Sequence, residues 1–315
     1  MEIERKIKKD YALAALTTYR IGGPAKFFIE IKEKNELIEA FKWAKKEKLK
    51  SYILGGGSNV IIPDAGIDGL VMVMKNEIVA VRGERIECGA GATLARVCSL
   101  ALSNNLSGLE WSSGIPRATT GGAIRGNAGA FGISMADIVE TVEFFNIKDR
   151  KFDVFSNSMC KFGYRNSIFK KKNNFLIWNS VLRLKTEPAK DIQALIEKSI
   201  NFRKQRYPNL PSAGSVFKNL DPEYVKNNNE ILFIRELKDS IGREGKISAG
   251  LIIDKAGLKG KSIGGIKISL EHANHIVNTG KGTAEEVIML ISYIKQQVRT
   301  KFGLQLQEEI EYFGF

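Results

Sequence analysis

The sequence is poor in the residues that most often mark a reactive centre. Cys88, Cys98 and Cys160 are its only cysteines, and no two stand in CxxC spacing. That excludes a disulfide framework and a thiolate zinc site, and leaves three reduced, partly buried thiols as the expectation. There are two histidines, His272 and His275. At i, i+3 with no cysteine nearby they make a poor metal site, so structural roles are expected and no metal. No apolar run approaches the length of about eighteen residues that a membrane span needs. The opening MEIERKIKKD and YALAAL imitate an export signal, but the apolar part is short and runs into TTYR. A cytoplasmic location is therefore expected. Acidic residues are also in deficit, 35 against 48 lysines and arginines, for a net charge of +13. The basic residues are scattered over helix faces (Lys42, Lys45, Lys46, Lys48) or in short clusters (Lys170 to Lys172), without interleaved aromatics. Nucleic acid is thus not an expected partner, and the excess suits solubility and an anionic substrate.

What the chain has in quantity is glycine, in two runs. Residues 112–132 read SSGIPRATTGGAIRGNAGAFG, and residues 54–59 read LGGGSN. Neither is the phosphate loop GxxxxGK[ST], and neither forms GxGxxG between a strand and a helix. One such run is ordinarily a tight turn or bulge. Glycine also lets the backbone approach a ligand closely and turn its N–H groups toward phosphate oxygens. Two long runs in one chain read as two walls of an anionic-cofactor site.

Along the chain, the turn Gly22-Gly23-Pro24 leads into a strand. Residues 35–49 form a helix capped by Asn35, with Leu37, Ile38, Phe41 and Ala44 on one face. Residues 51–54 form a strand that delivers the GGGSN loop. Residues 67–90 read as a β-meander, 93–102 as a helix, and 138–147 and 174–184 as strands. No run of parallel βαβ units is visible. Residues 189–206 form a long helix, ended by Pro208 and Pro211. The charged, asparagine-rich stretch 221–246 reads as a surface insertion. Thr283 and Glu286 fit a capping box opening the last helix, which Gly303 ends, and 304–313 form a final strand. The class is α+β.

Three residues are candidates for chemistry. Ser215, in PSAGSVFKN, is either a turn residue or a hydroxyl able to give up a proton beside a positive charge. Arg165, in YRNSIFK, either packs its stem or stabilises negative charge developing on an oxygen. Glu309 falls with Gln305, Gln307 and Glu311 on one side of the last strand. That side is either a solvated face or the seat of a general acid.

Together, TTYRIGG, LGGGSN, the central run, YRNSIFK, PSAGSVFKN, AGLIIDKAGLKG, HANHIVN and LQLQEEI follow the order and spacing of the UDP-N-acetylenolpyruvoylglucosamine reductase (MurB) family. The resemblance spans residues 10 to 314 and is to the shorter type, which lacks an extra tyrosine loop. It implies a two-lobed FAD-binding domain of the PCMH/MurB type, with lobes at 1–65 and 66–188, then a C-terminal α+β substrate-binding domain at 189–315. It implies that Arg20, Ile21, Gly22, Gly23, Gly55, Gly56, Gly57, Ser58, Asn59, Gly114, Ile115, Gly121, Gly122 and Ala123 contact FAD. By the same resemblance Tyr164, Lys218 and Asn219 bind substrate, Arg165 and Glu309 stabilise an enolate-like intermediate, and Ser215 protonates C2. The expected partners are UDP-N-acetylglucosamine enolpyruvate and NADPH, with no nucleic acid and no membrane, and the chain acting as a monomer. Other readings are a related FAD oxidase, which often tethers its flavin through His or Cys, and an inactive nucleotide-binding module. Neither glycine run holds a His or Cys, and all three catalytic candidates are present. Two departures stand out. Arg117 occupies a position where the family usually has glycine, and Gln307-Glu308 replace the usual glutamate-proline before Glu309.

Overall fold

The computed structural model describes residues 2–227, 237, 241 and 245–315. The charged stretch expected as a surface insertion lies largely outside these. Packing divides the chain into two units that do not follow chain order. The first comprises Met1–Tyr11, Ala25–Gly57 and Ile67–Gln205, and the second Ala12–Pro24, Ser58–Gly66 and Arg206–Phe315.

In the first unit, β1 (Lys8–Ala12), β2 (Pro24–Ile31), β3 (Ser51–Leu54) and β4 (Ile67–Met74) form one sheet in the order β1-β2-β4-β3. Both β2 and β3 pair with β4 in parallel. This corrects the meander expected over 67–90; the parallel pairing involves three strands and one helical crossover, not a run of βαβ units. The physical reason lies in β4, where every residue but Asp68 is buried. A central parallel strand is covered on both faces and shows no alternation. Helix α1 (Lys34–Lys46) makes the crossover from β2 to β3 and buries Leu37, Ala40, Trp43 and Ala44. Its cap is Glu33, in a reciprocal box with Glu36, and not Asn35.

The later part of the meander belongs to a second sheet of the same unit. It contains β5 (Val79–Arg82), β6 (Arg85–Gly89), β7 (Val139–Asn146), β8 (Lys151–Ser156) and β9 (Phe175–Arg183). All its pairings are antiparallel, in the order β8-β7-β9-β6-β5. Phe144 is fully buried there against Phe155, Phe169 and Phe175. Helices α2 (Leu94–Ser103), α3 (Thr120–Gly126) and α4 (Ala189–Arg206) complete the unit. On α4 the buried Arg203 donates to the carbonyls of Trp111 (2.7 Å) and Ser113 (2.8 Å), which anchors the start of the central glycine-rich run. All three cysteines are buried, which pushes the Cys88 thiol up to about 11.

In the second unit, β10 (Ser212–Ser215), β11 (Ser262–Ile263), β12 (Ile266–Ile268) and β13 (His275–Asn278) form an antiparallel sheet in the order β10-β13-β12-β11. Helices α5 (Ala249–Lys255) and α6 (Ala284–Phe302) share its core. Helix α6 buries a stripe of Val287, Leu290, Ile291, Ile294 and Val298, carries the expected Thr283–Glu286 box, and ends at Gly303 with φ +70°. The expected final strand is mostly absent. Only Glu311–Tyr312 pairs as a strand, in parallel with Val60–Ile61, and one bridge joins Glu308 to Phe217. The alternation still holds where the core demands it: Leu304, Leu306 and Ile310 are buried, while Gln305 and Gln307 are exposed. Among the described residues no helix is long and apolar enough to cross a membrane.

Candidate active site

In the first unit the two glycine runs lie against each other. A Cβ added at Gly56 would run into the carbonyl oxygen of Arg117. One added at Gly55 would come within 2.8 Å of Thr119 Oγ1. Bare backbone is what permits this contact. Gly57 and Gly114 stand at φ +66° and +84°. Thr119 Oγ1 is buried here with no hydrogen-bond partner. An unpartnered buried hydroxyl between two stretches of uncovered backbone calls for a ligand oxygen, so the residues fit the diphosphate of a dinucleotide. Of the other expected contacts, Gly122 faces Thr119 Oγ1, Ile115 is half-buried and Ala123 is buried. Gly121 serves packing: its N–H donates to the Ala90 carbonyl at 3.0 Å, and an added Cβ would press on Ala90 Cβ at 2.7 Å.

Arg165 sits with Tyr164 at the tip of a two-residue turn closed by reciprocal backbone bonds between Gly163 and Asn166. Its φ is +52°, and Nη1 donates to the Gly129 carbonyl at 3.2 Å. The guanidinium lies 5.5 Å from the Tyr164 ring centre. Asn127 Nδ2 donates to the Gly163 carbonyl at 2.9 Å, and Ser167 Oγ to that of Arg125 at 2.7 Å. The turn is therefore tied to the later part of the central run, residues 125–129.

The second unit holds Arg20, Ile21, Gly22, Gly23, Ser58 and Asn59. Gly23 N–H donates to the Pro63 carbonyl at 2.9 Å, and Asn278 Nδ2 to that of Tyr19 at 3.2 Å. Asn59 Nδ2 donates to the Glu309 carbonyl at 3.0 Å, and Glu311 N–H returns a bond to the Asn59 carbonyl at 3.0 Å.

Ser215 ends β10, opposite His275 on β13. The Glu309 N–H donates to the carbonyl of Val216, the residue after Ser215, at 2.7 Å. Lys218 N–H donates to the Gln307 carbonyl at 2.8 Å, so the serine and glutamate segments run side by side. Asn274 holds the serine segment from its other side. Its Oδ1 accepts from Phe217 N–H (2.9 Å), its Nδ2 donates to the Phe217 carbonyl (2.8 Å), and its own carbonyl accepts from Val216 N–H (2.9 Å). Asn219 Oδ1 accepts from Ala249 N–H at 3.1 Å, at the start of α5. Lys295 Nζ pairs with Glu308 Oε1 at 2.8 Å, beside the catalytic candidate.

The two histidine rings lie against each other in this unit, tilted by 56°. Their ring centres are 4.7 Å apart, and Tyr207 lies 4.8 Å from His275. Burial, and then the neighbouring His272, bring the His275 imidazole down to about 3. Among the described residues no group of three His, Cys, Asp or Glu side chains can hold a metal.

Sequence reasoning missed two parts of this arrangement. One is Asn274, whose amide ties down the strand end bearing Ser215. An asparagine within an apolar segment, HANHIVN, is the trace it leaves. The other is Thr119, which looks like an ordinary helix cap until its hydroxyl is found without a partner.

A family model described as "UDP-N-acetylenolpyruvoylglucosamine reductase, C-terminal domain" matches residues 205–313, and one described as "FAD binding domain" matches residues 25–149. The UDP-N-acetylenolpyruvoylglucosamine reductase of Caldanaerobacter subterraneus subsp. tengcongensis is 36% identical over 99% of this chain and 95% of its own. That of Solibacter usitatus is 33% identical over 96% and 95%. The chain belongs to the UDP-N-acetylenolpyruvoylglucosamine reductase family. A crystal structure of the MurB enzyme from Thermus caldophilus is similar to the whole chain, with a TM-score of 0.76, 32% identity, and coverage of 96% of this chain and 97% of that one. The α+β class, with a flavin-binding domain followed by a MurB C-terminal domain, agrees with that likeness.

Proposed function

We propose that this chain reduces UDP-N-acetylglucosamine enolpyruvate to UDP-N-acetylmuramate, a step in making peptidoglycan precursors, and that Arg165, Ser215 and Glu309 carry the chemistry. FAD and NADPH are the cofactors of the reaction. Bound FAD supplies hydride transfer between NADPH and C3 of the enolpyruvyl group. The residues that would hold it include Gly55, Gly56 and Gly57, with Gly114, Ile115 and Thr119 from the second run.

Reduction at C3 places negative charge on C2 and the attached carboxylate. Arg165 is assigned to stabilise that charge, because its guanidinium brings fixed hydrogen-bond donors and positive charge to where the anion develops. Ser215 is assigned to deliver the proton to C2, and Glu309, carrying a proton, to hydrogen-bond the same developing anion. The observation that carries this reading is the bond from Glu309 N–H to the Val216 carbonyl, which fixes the glutamate segment beside the serine. Preorganisation of this kind limits the rearrangement needed during reaction. Tyr164, Lys218 and Asn219 are assigned to substrate binding. In this reading the enzyme works in the cytoplasm as a monomer, without nucleic acid or membrane, and the substrate-binding domain is the part of 189–315 beyond α4, which itself packs with the first unit.

The test is Ser215→Ala. Anaerobic NADPH should bleach the flavin of this variant as it does in wild type, while formation of UDP-N-acetylmuramate falls at least about a hundredfold. Equal loss of both half-reactions in folded protein would sink the serine's role. A purified wild-type protein that neither contains nor takes up flavin would remove the whole reading.

A further inference from the structure

We propose that Arg117 is a diphosphate-binding residue of this chain, held in place by the first glycine run so that its guanidinium meets the anion of the bound dinucleotide. The inference rests on the FAD reading above.

Arg117 stands at φ +57°, the left-handed region that glycine enters freely and side-chain-bearing residues enter at a cost, as Arg165 also does at +52°. The turn holds a conformation that glycine favours while carrying a large cation. The side chain is used in a definite way. Arg117 Nε donates to the Gly56 carbonyl at 3.1 Å, and Gly56 in turn leaves room for the Arg117 carbonyl by having no Cβ. Arginine and loop thus meet twice, once in a hydrogen bond to the Gly56 carbonyl and once in the close approach of the Arg117 carbonyl to bare Gly56.

One N–H is spent on that anchor, and the two terminal nitrogens with their four N–H groups remain. Arg117 is exposed, and no described carboxylate pairs with it. A guanidinium fixed at Nε presents its outer edge as a planar fork, the geometry that matches two phosphate oxygens. Two residues further on is the buried, unpartnered hydroxyl of Thr119, against Gly55. A cation at the rim and an unsatisfied donor within the cradle suit a multiply charged oxyanion better than the uncharged isoalloxazine or adenine rings.

The experiment is a fluorescence titration of deflavinated wild type, Arg117→Gly and Arg117→Lys with FAD, at low and high salt, with riboflavin as the phosphate-free probe. Melting curves of the apoproteins accompany it. Arg117→Gly relieves the backbone, so its melting temperature should equal or exceed that of wild type. Its FAD affinity should fall about tenfold, the loss expected for a charged hydrogen-bonded contact. That loss should shrink as salt screens the wild-type contact. Arg117→Lys should keep part of the salt dependence, and riboflavin should bind wild type and Arg117→Gly alike.

Unchanged FAD affinity in Arg117→Gly would overturn the proposal while leaving the cofactor reading intact. Weaker FAD binding with the wild-type salt dependence, or an equal loss for riboflavin, would also overturn it, because the arginine would then only be ordering the loop. A wild-type apoprotein that takes up no FAD would overturn the cofactor reading and this proposal with it.

Discussion

A single missing methyl group decides whether the two glycine runs can meet. Gly56→Ala puts a carbon into the Arg117 carbonyl, which is backbone and cannot swing aside. Overpacking of this kind costs about 1–3 kcal/mol, or else the loops separate. We expect a lower melting temperature and less bound flavin after purification. Gly126→Ala is the control, since nothing lies within 4 Å of a Cβ there. Equal losses in the two variants would show that the contact between the runs is unimportant. At this scale the sequence was informative about composition and silent about partners. The pattern LGGGSN marks uncovered backbone at 55–57, but nothing local says that Arg117 is what the bare backbone faces.

Helix α6 was legible from its own residues. Its apolar stripe, its capping box and its terminal glycine all lie within 283–303 and obey the 3.6-residue period. The local pattern does not contain its second cap. Asp64 Oδ1 accepts from Ala284 N–H at 3.0 Å, and Oδ2 from Glu285 N–H at 3.2 Å. A carboxylate on the first turn both satisfies free donors and favours the helix dipole. Asp64→Ala should therefore cost about 1 kcal/mol, read as a lower urea midpoint with an unchanged m-value. An unchanged midpoint would mean that the Thr283–Glu286 box suffices alone. The strand expected over 304–313 shows the opposite limit. Its alternation was real, because Leu304, Leu306 and Ile310 seat in the core. Alternation reports burial, however, and says nothing about whether a neighbouring strand completes the ladder.

The fold as a whole should lose stability on mild acidification, because His275 is buried in neutral form. Its folded value of about 3 lies below the ordinary 6.5. Below pH 6.5 the unfolded chain takes up a proton that the folded chain refuses, so stability falls as pH drops, by up to about 1.4 kcal/mol per pH unit for this one group. Above that pH the imidazole is neutral in both states and contributes no slope. His272 is lowered as well, by burial first and then by Lys259 and Arg206, and adds in the same direction. His275→Phe keeps a ring against Tyr207 and should flatten urea midpoints compared at pH 7 and pH 5. A wild-type slope in that variant would exclude His275 as the source.

The larger assembly also marks where pattern reading ends. Glycine content, the faces of the helices, the positions of Ser215, Arg165 and Glu309, and the ordered family motifs are properties of short segments, and they could be read without coordinates. Other features join residues tens or hundreds of positions apart. Strand β4 pairs in parallel with β2 and β3, residues 12–24 and 58–66 pack with the C-terminal unit, Asn59 holds the Glu309 segment, and Asn274 holds that of Ser215. A buried parallel strand has no alternation to read, and a backbone carbonyl or amide carries no residue-specific mark of its partner. Periodicity along the chain records which side of an element meets the core, whereas the identity of the distant segment that meets it is set only when the chain packs.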